Sequence, residues 1–286
     1  MSLVIKPLTE RDIDQTDIVL KAAYKTSYSR KESLYRYLMI QPSLALVAKE
    51  GNEIIGFGAT RDYGPFAYIG LMASRPDVQR RGTGGRILDE ILSWLSERKC
   101  STVLLDASSP GVCLYETHGF VHSDVTQVFL RSRKKKSSTD YNPQIKDFGH
   151  LDDGEFRDIV SFDSPLFGAD RGSLLHSYYK DDPSRFLVSR NEQGLINGFL
   201  VAQQRTIGPW VANDPKVSEK LLSEALQFDF EYDLTVYVSG ANKDCLDLLG
   251  RNGFEFQRTM RHMYKGKFIQ RARATAIYGE ATPGFG

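Results

Sequence analysis

The spacing of apolar residues predicts alternating strands and helices in the first half of the chain. Short apolar runs bounded by turn residues are typical of strands, and they occur at 44–49, 53–60, 67–73, 102–106 and 124–130. Apolar residues recur at helical spacing from Ile87 to Leu95, which predicts a helix beginning near Gly82. A second helix is predicted at 111–118, because Gly119 follows it as a stop signal. Strands before and after a central helix indicate an α/β (α+β) fold.

The second half of the chain repeats part of this pattern. Segments 108–120 and 242–254 share one spacing of polar, apolar and glycine positions, and each follows a predicted strand. An apolar run at 206–212 likewise resembles the strand at 67–73. The match predicts an internal duplication, with chance similarity between short apolar segments as the alternative.

A polar segment separates the two halves. Residues 131–143 are rich in Arg, Lys and Ser and end at Pro143, a composition typical of an exposed linker. We therefore predict a first domain at 1–133, a linker at 134–145 and a second domain at 146–286. The length of 286 residues also favours two domains over one.

Composition and charge exclude several classes of function. Lys and Arg number 37 against 36 Asp and Glu, a balance that argues against nucleic acid or an anionic membrane as the main partner. No apolar run is long enough to span a bilayer, and charges come too early in the chain for a signal peptide. The three cysteines and scattered histidines predict neither a disulfide framework nor a metal site. These features predict a soluble, cytoplasmic protein.

A glycine-rich loop joins the strand at 67–73 to the following helix. It reads Gln79-Arg-Arg-Gly-Thr-Gly-Gly85, and its glycines let the backbone approach a ligand closely. Unpaired N–H groups at a helix start favour an anion, and the two arginines add positive charge. The loop thus predicts a phosphate or pyrophosphate cradle, with a plain glycine-rich helix start as the alternative. It matches neither the P-loop nor the dinucleotide fingerprint, because the required Lys-Ser/Thr and third glycine are absent.

Two motifs in the first half resemble those of a known family. The spacing Gln79-x-x-Gly82-x-Gly84 resembles the acetyl-CoA loop of the GNAT superfamily of N-acetyltransferases, and Leu-Tyr-Glu-Thr-His-Gly-Phe at 114–120 resembles its second signature. The second half, which lacks the glycine loop, is similar to the C-terminal domain of tandem GNAT proteins. The resemblance implies two tandem GNAT-like domains, each a twisted, mixed, mainly antiparallel sheet flanked by helices, with only the first active.

The resemblance also implies acetyl-CoA as the acyl donor and no metal. Its pantetheine arm would lie between two splayed strands and contact the backbone of Leu71, Met72 and Ala73. The residues implied to hold its pyrophosphate are Gln79, Arg80, Arg81, Gly82, Thr83, Gly84 and Gly85. Tyr115 is predicted to be the general acid for the departing thiolate, with packing against the sheet as the alternative. The second copy has Leu249 at the equivalent position, which predicts that it is inactive.

Residues that serve the acceptor amine are less sharply defined by the sequence. Asp62, Asp106 and His118 are candidates for the general base by their proximity in sequence to the strand ends. A surface or capping role is the alternative for each, and an ordered water could accept the proton instead. The acceptor should contact the first helices, at 14–39, and the second domain. The tyrosines of those helices, Tyr24, Tyr28, Tyr35 and Tyr37, are candidate walls of its site, with helix packing as the alternative. The predicted contact residues are Tyr28, Phe167, Asp170 and Arg171.

Together these features predict an acetyl-CoA-dependent N-acetyltransferase. It would move an acetyl group to a primary amine of a small molecule by direct attack in a ternary complex. Two alternatives stay open, a non-catalytic acetyl-CoA-binding or regulatory module and an acetyltransferase acting on a protein amine. The sequence leaves the acceptor, the acyl chain length and the oligomeric state open.

Overall fold

The structure is a computed structural model that describes residues 3–133 and 151–286. These residues form two compact units. The first contains the chain up to Val121 together with 263–268 and 283–285, and the second contains 122–262, 269–282 and Gly286. The predicted linker at 134–145 lies outside the described residues. Among the helices that the structure describes, none is long and apolar enough to cross a membrane.

The first half of the chain contains six strands and four helices in its described part. The strands are β1 (Leu3–Pro7), β2 (Ala45–Glu50), β3 (Glu53–Asp62), β4 (Ala67–Ser74), β5 (Thr102–Ala107) and β6 (Val121–Arg131). The helices are α1 (Ile13–Tyr24), α2 (Lys31–Ile40), α3 (Thr83–Glu97) and α4 (Val112–Thr117). The strands and helices predicted from apolar spacing are therefore present, with ends that shift by a few residues.

The second half repeats the order of elements found from α1 to β6. Its helices are α5 (Asp153–Phe167), α6 (Gly172–Asp181), α7 (Pro215–Ala225) and α8 (Lys243–Arg251). Its strands are β7 (Phe186–Arg190), β8 (Ile196–Ala202), β9 (Ile207–Ala212), β10 (Leu234–Ser239), β11 (Glu255–Gly266) and β12 (Ile277–Gly279). Two helices, three strands, a helix, a strand, a helix and a strand follow one another in both halves, as a duplication requires.

The sheet of the first unit is mixed but mainly antiparallel. Its strand order is β1-β2-β3-β4-β5, followed by the end of β11. Strands β1 to β4 pair antiparallel, and β4 pairs with β5 in parallel because α3 carries the chain back between them. The apolar face of α3, with Ile87, Leu88 and Ile91, is buried in one core with residues of the sheet. Helix α1 packs against β3 and β4.

The second unit has two groups of strands. The order β12-β9-β8-β7 forms one antiparallel sheet, and β11, β6 and β10 are neighbours in another. A parallel bridge joins Thr206, directly before β9, to Thr235 at the start of β10. The core is built around Trp210 and the buried faces of α7 and α8. Most of β6 thus belongs to the second unit although it ends the first half, while 263–268 at the end of β11 belongs to the first.

Candidate functional site

Strands β4 and β5 separate halfway along their length. The parallel register joins Ala67, Tyr68 and Ile69 to residues 103–105 of β5 and stops there. From Gly70 onwards, the edge of β4 that faces β5 has no partner in that strand. The sheet of the first unit therefore opens at this point, as the sequence resemblance implied, and exposes backbone groups that a ligand can use.

A β-bulge in β4 lies where the two strands separate. Gly70 pairs with Ala59 and Ala73 with Phe57, so Leu71 and Met72 stand opposite a single residue of β3. Leu71 has a φ of 53°, in the left-handed region that residues with side chains seldom occupy. A bulge redirects the peptide groups of its strand. The three residues predicted to contact the pantetheine arm thus lie in and beside this bulge.

The glycine-rich loop leads from the end of β4 into α3. Gln79 ties the loop to the end of β4 by donating its side-chain N–H to the Ser74 carbonyl at 3.2 Å. Arg80 and Gly82 both have left-handed backbone, with φ of 65° and 85°. A Cβ at Gly82 would meet no atom within 4 Å, so glycine is needed there for its backbone conformation and not for space.

The first turn of α3 has the properties of an anion-binding site. Its N-cap, Gly82, provides no side-chain oxygen, and the first backbone bond of the helix runs from the Arg86 N–H to Gly82. The N–H groups of the intervening residues, Thr83 to Gly85, are therefore left without helical partners. Arg80 and Arg81 are exposed, and neither forms an ion pair with a carboxylate in the described residues. The dipole of α3, the unpaired N–H groups of its first turn and the charge of the two arginines together suit a phosphate.

Tyr115 on α4 lies in the same core as the inner face of α3. Only 7% of its surface is exposed, and its ring meets Phe120 edge-on at 5.8 Å between centroids. Burial raises the pKa of the Tyr115 hydroxyl, and the neighbouring Tyr24 adds to this effect. The hydroxyl has no hydrogen-bond partner among the described residues and stays protonated at neutral pH.

A second tyrosine reaches the bulge from α1. Tyr24 donates its hydroxyl to the Met72 carbonyl at 3.0 Å. The Arg30 guanidinium lies over the ring of Tyr24 at 4.7 Å and over the ring of Tyr28 at 4.8 Å. Both tyrosines were predicted as walls of the acceptor site, and their contact with an acceptor stays a prediction. Arg30 was missed, because an arginine near two tyrosines carries no distinctive signal in the sequence.

The three candidates for the general base occupy different places. Asp106 lies at the end of β5, where the strands separate, and accepts a hydrogen bond from Tyr68. His118 is held between α4 and α3, with Nδ1 donating to Leu114 at 2.6 Å and Nε2 3.3 Å from Asp89. Asp62 pairs with Ala67 at the other end of β4 from the bulge. Only Asp106 lies at the opening of the sheet.

Residues 283–285 form a part of the first unit that the sequence did not predict. Tyr37 donates its hydroxyl to the Gly284 carbonyl at 2.5 Å and stacks on Phe285 at 4.3 Å. Tyr63 donates to the Phe285 carbonyl at 2.7 Å. A Cβ at Gly70 would overlap the backbone of Gly284, so this segment lies directly against β4 beside the bulge.

The acceptor residues predicted in the second half take part in a buried ionic cluster and a turn. Arg171 is fully buried and donates to both carboxylate oxygens of Asp163, at 2.7 and 2.8 Å. Its guanidinium and that of Arg271 lie over the ring of Phe167, at 4.0 and 4.4 Å. Asp170 is exposed and accepts the Gly172 N–H at 2.6 Å. These contacts give Arg171 and Phe167 a structural role in the second unit, while their predicted contact with an acceptor stays a prediction.

The equivalent region of the second half is built differently. The N-cap of α7 is Asp214, whose carboxylate accepts the N–H groups of Lys216 and Val217 at 2.8 and 3.0 Å. The start of α7 is thus capped by an aspartate side chain, whereas the start of α3 has no side-chain cap. Leu249, at the position equivalent to Tyr115, is fully buried in the core.

No cluster of three or more His, Cys, Asp or Glu side chains that could hold a metal occurs in the described part of the chain. The donor set of the site consists of backbone N–H groups, arginines and tyrosines. The N–H groups and arginines at the start of α3 suit an anionic organic ligand.

Comparisons with known proteins identify the family of both halves of the chain. Residues 9–132 and 159–279 match two family models, each described as an acetyltransferase (GNAT) domain, and together the matches cover most of the chain. A protein of Pyrococcus horikoshii that has been assigned to the acetyltransferases is 27% identical, with a TM-score of 0.81 over 99% of this chain and 96% of that one.

Two more distant structures share the fold. A GCN5-related N-acetyltransferase of Sphaerobacter thermophilus is 14% identical, with a TM-score of 0.68 over 92% of this chain and 95% of its own. One from Anabaena variabilis is 14% identical, with a TM-score of 0.58 over 92% of this chain and 72% of its own. A comparison with curated proteins returned no match.

Proposed function

Because the chain belongs to the GNAT acetyltransferase family, whose members transfer an acyl group from acetyl-CoA, we propose that its first half acetylates a primary amine of a small molecule. One observation carries the proposal. The opening between β4 and β5, with its bulge at Leu71, leads along the same strand into the uncapped start of α3. A ligand with an extended arm and a pyrophosphate fits both features at once.

Acetyl-CoA would use backbone groups for most of its contacts. The N–H groups at Thr83 to Gly85 would bind the pyrophosphate, with Arg80 and Arg81 adding charge. The pantetheine arm would pair with the free edge of β4 as an added strand does. The acetyl group would then lie beside the bulge, where a redirected N–H can stabilise the oxyanion.

The reaction needs no nucleophile from the protein. The neutral amine attacks the thioester carbon, a carbon–nitrogen bond forms, and the carbon–sulfur bond breaks. The departing sulfur accepts a hydrogen bond and then a proton from Tyr115, while the nitrogen loses a proton to a base. Asp106 is the candidate for this base that the geometry favours, since it lies at the opening of the sheet. Holding both reactants together supplies much of the acceleration.

Two observations support a small acceptor. Residues 283–285 lie against β4 at Gly70 and restrict the space next to the bulge. Tyr24 also covers the Met72 carbonyl in the bulge by donating its hydroxyl to it. A small amine fits such a confined surface more readily than a polypeptide does. A cytoplasmic location stays a prediction from composition.

Thiol release from acetyl-CoA tests the proposal. Purified protein would be incubated with amino acids, polyamines, aminosugars and short peptides, with the free thiol followed colorimetrically. A thermal-shift titration with acetyl-CoA would run beside it. We expect a thermal shift and thiol release with one class of small amine. A thermal shift without release would favour a binding module, and release with peptides alone would favour a protein acceptor.

A further inference from the structure

Arg30 lies in the segment between α1 and α2, close to the bulge. It is half-buried, and Asp17 fixes its backbone by accepting its N–H at 2.6 Å. The guanidinium contacts the faces of Tyr24 and Tyr28 and donates to the Tyr28 hydroxyl at 2.7 Å. The side chain is thus held in one place by two rings and a phenol.

The charge of Arg30 is not matched by a carboxylate in the described residues. Its Nε is buried without a hydrogen-bond partner, and its Nη1 likewise has none among those residues. The carboxylate of Asp17, which accepts the Arg30 backbone N–H, is instead occupied by the Lys21 and Ser29 side chains. A partly desolvated cation without a counter-charge is costly, so such groups usually have a ligand or a function.

Other arginines of the first unit show the contrast. Arg75 pairs with Asp77 at 2.7 Å and with Glu53 at 3.0 Å. Arg98 lies over the Trp94 ring at 4.0 Å, but at the far end of α3 from the site. Among these three, Arg30 alone is half-buried without a carboxylate partner in the described residues.

The position of Arg30 relates it to the reacting group. The guanidinium and the Met72 carbonyl contact the same tyrosine, the first over the face of the Tyr24 ring and the second through its hydroxyl. An acceptor whose amine approaches the bulge would therefore bring its neighbouring atoms near Arg30. A guanidinium presents paired N–H donors in a plane that matches a carboxylate.

We infer that Arg30 binds a carboxylate of the acceptor, so the acceptor is a small primary amine with a carboxylate close to its amino group, as in an amino acid. The inference rests on the proposed function, since it assumes that the amine reacts beside the bulge. Tyr28 orients the guanidinium through its hydroxyl, and Tyr24 places it relative to the strand. A carboxylate bound there would hold the amine in line with the thioester.

Matched pairs of acceptors test this inference. Each pair consists of an amino acid and the amine that lacks its carboxylate: glycine with methylamine, alanine with ethylamine, and phenylalanine with 2-phenylethylamine. For the unaltered protein we expect kcat/KM to be higher for the amino acid than for its paired amine by about tenfold or more. A hydrogen bond to a charged group accounts for a ratio of this size. Aminomethylphosphonate in place of glycine separates a carboxylate site from one for phosphate-like anions, and its preferred use would overturn the assignment.

Arg30→Gln, Arg30→Lys and Arg98→Gln form the variant series. Arg30→Gln should reduce the ratio between paired acceptors to about one, while the Kd for acetyl-CoA stays unchanged and reports correct folding. Arg30→Lys should keep part of the ratio, because the charge remains and the planar fork is lost. Arg98→Gln removes another ring-stacked guanidinium of the same unit and should leave the ratio as it was.

The outcomes separate this inference from the proposed function. Thiol release that continues with an unchanged ratio in Arg30→Gln overturns the inference and leaves the acetyltransferase intact. If no pair gives release but another class of small amine does, the inference is overturned and the proposed function stands. If no amine gives release, the proposed function fails, and a thermal-shift titration of the CoA-loaded protein decides about Arg30. A shift with N-acetylglycine that is absent with N-methylacetamide and lost in Arg30→Gln supports the carboxylate site. No such difference overturns it.

Discussion

Tyr115 can lose its hydroxyl without disturbing the fold. The ring packs on Phe120 within a core, and the oxygen has no hydrogen-bond partner in the part of the chain that the structure describes. Tyr115→Phe should therefore lower kcat about 100-fold or more, as the loss of a general acid does. The Kd for acetyl-CoA and the melting temperature should hardly change. Steady-state kinetics of thiol release, with calorimetric titration of acetyl-CoA, would measure the difference.

The control for Tyr115→Phe is Tyr232→Phe, which also removes only a hydroxyl. Tyr232 is a half-buried residue of the second unit, and the Arg205 guanidinium lies over its ring. This variant should keep full activity. Equal activity in Tyr115→Phe would assign that residue to packing, the alternative that the sequence left open.

The raised pKa of Tyr115 also predicts a dependence on pH. An unfolded tyrosine ionises near pH 10, while the buried hydroxyl keeps its proton to higher pH. Near and above pH 10 the unfolded state therefore binds fewer protons than the native state, so the free energy of unfolding falls as the pH rises. Urea unfolding between pH 9 and pH 11 should show a smaller loss for Tyr115→Phe. An identical loss in both proteins would contradict a buried, protonated hydroxyl.

At the scale of single elements, the start of α3 depends on one backbone conformation. An alanine at Gly82 would have to adopt a φ near 85° or turn the first-turn N–H groups away from their common direction. Gly82→Ala should raise the Kd for acetyl-CoA about tenfold or more, the equivalent of roughly 1.4 kcal/mol. Calorimetric titration measures this affinity directly.

Gly64 offers a matched control for that substitution. Its φ is 88°, and a Cβ there also meets no atom within 4 Å, but it lies in the turn before β4. Gly64→Ala should cost similar stability by the same backbone strain. If it weakened acetyl-CoA binding as much as Gly82→Ala, the effect would be one of general stability and the cradle at 79–85 would lose its support.

The contact between β4 and residues 283–285 requires a glycine on the strand. A Cβ at Gly70 would overlap the Gly284 backbone, so Gly70→Ala must displace this segment and separate Phe285 from Tyr37. We expect a loss of stability of about 1–3 kcal/mol, the usual cost of overpacking, and faster hydrogen exchange at 283–286. Gly250→Ala, on α8 with open space around it, should be neutral or stabilising. Unchanged exchange in Gly70→Ala would contradict the contact.

The elements that the sequence predicted are those with local signals. The strand at 44–49 was found at Ala45–Glu50, and the helix expected from Gly82 was found at Thr83–Glu97. Alternating or helical spacing of apolar residues and the glycines between elements fix such boundaries locally. The glycine loop was located in the same way, since its chemistry lies in consecutive residues.

The parts that the sequence did not predict depend on contacts between distant segments. Nothing near residue 284 indicates that it lies against Gly70, and nothing near Arg30 indicates that its charge lacks a partner. The same holds for β11, whose end belongs to the first unit, because strand pairing depends on partners that periodicity does not identify. Tertiary structure decides these features.

At the scale of the whole molecule, the two halves share an order of elements and differ in the groups that chemistry requires. The first half has an uncapped α3 and Tyr115, and the second has Leu249 and a helix α7 capped by Asp214. The Asp214 carboxylate already occupies the N–H groups that a phosphate would need, and its negative charge repels a second anion. We therefore expect that both halves share the fold and that only the first has the acyl-donor site.

This asymmetry predicts the stoichiometry of acetyl-CoA binding. Calorimetric titration of the full chain should give one site per chain, and Gly82→Ala should weaken that site without revealing another. Asp214→Ala should lower stability by about 1 kcal/mol through loss of the helix cap. It should not create a second site, because the glycine loop and its two arginines have no counterpart before α7. Two equivalents bound per chain would contradict the assignment of the site to the first half, since the fold of the second half would then suffice to bind acetyl-CoA.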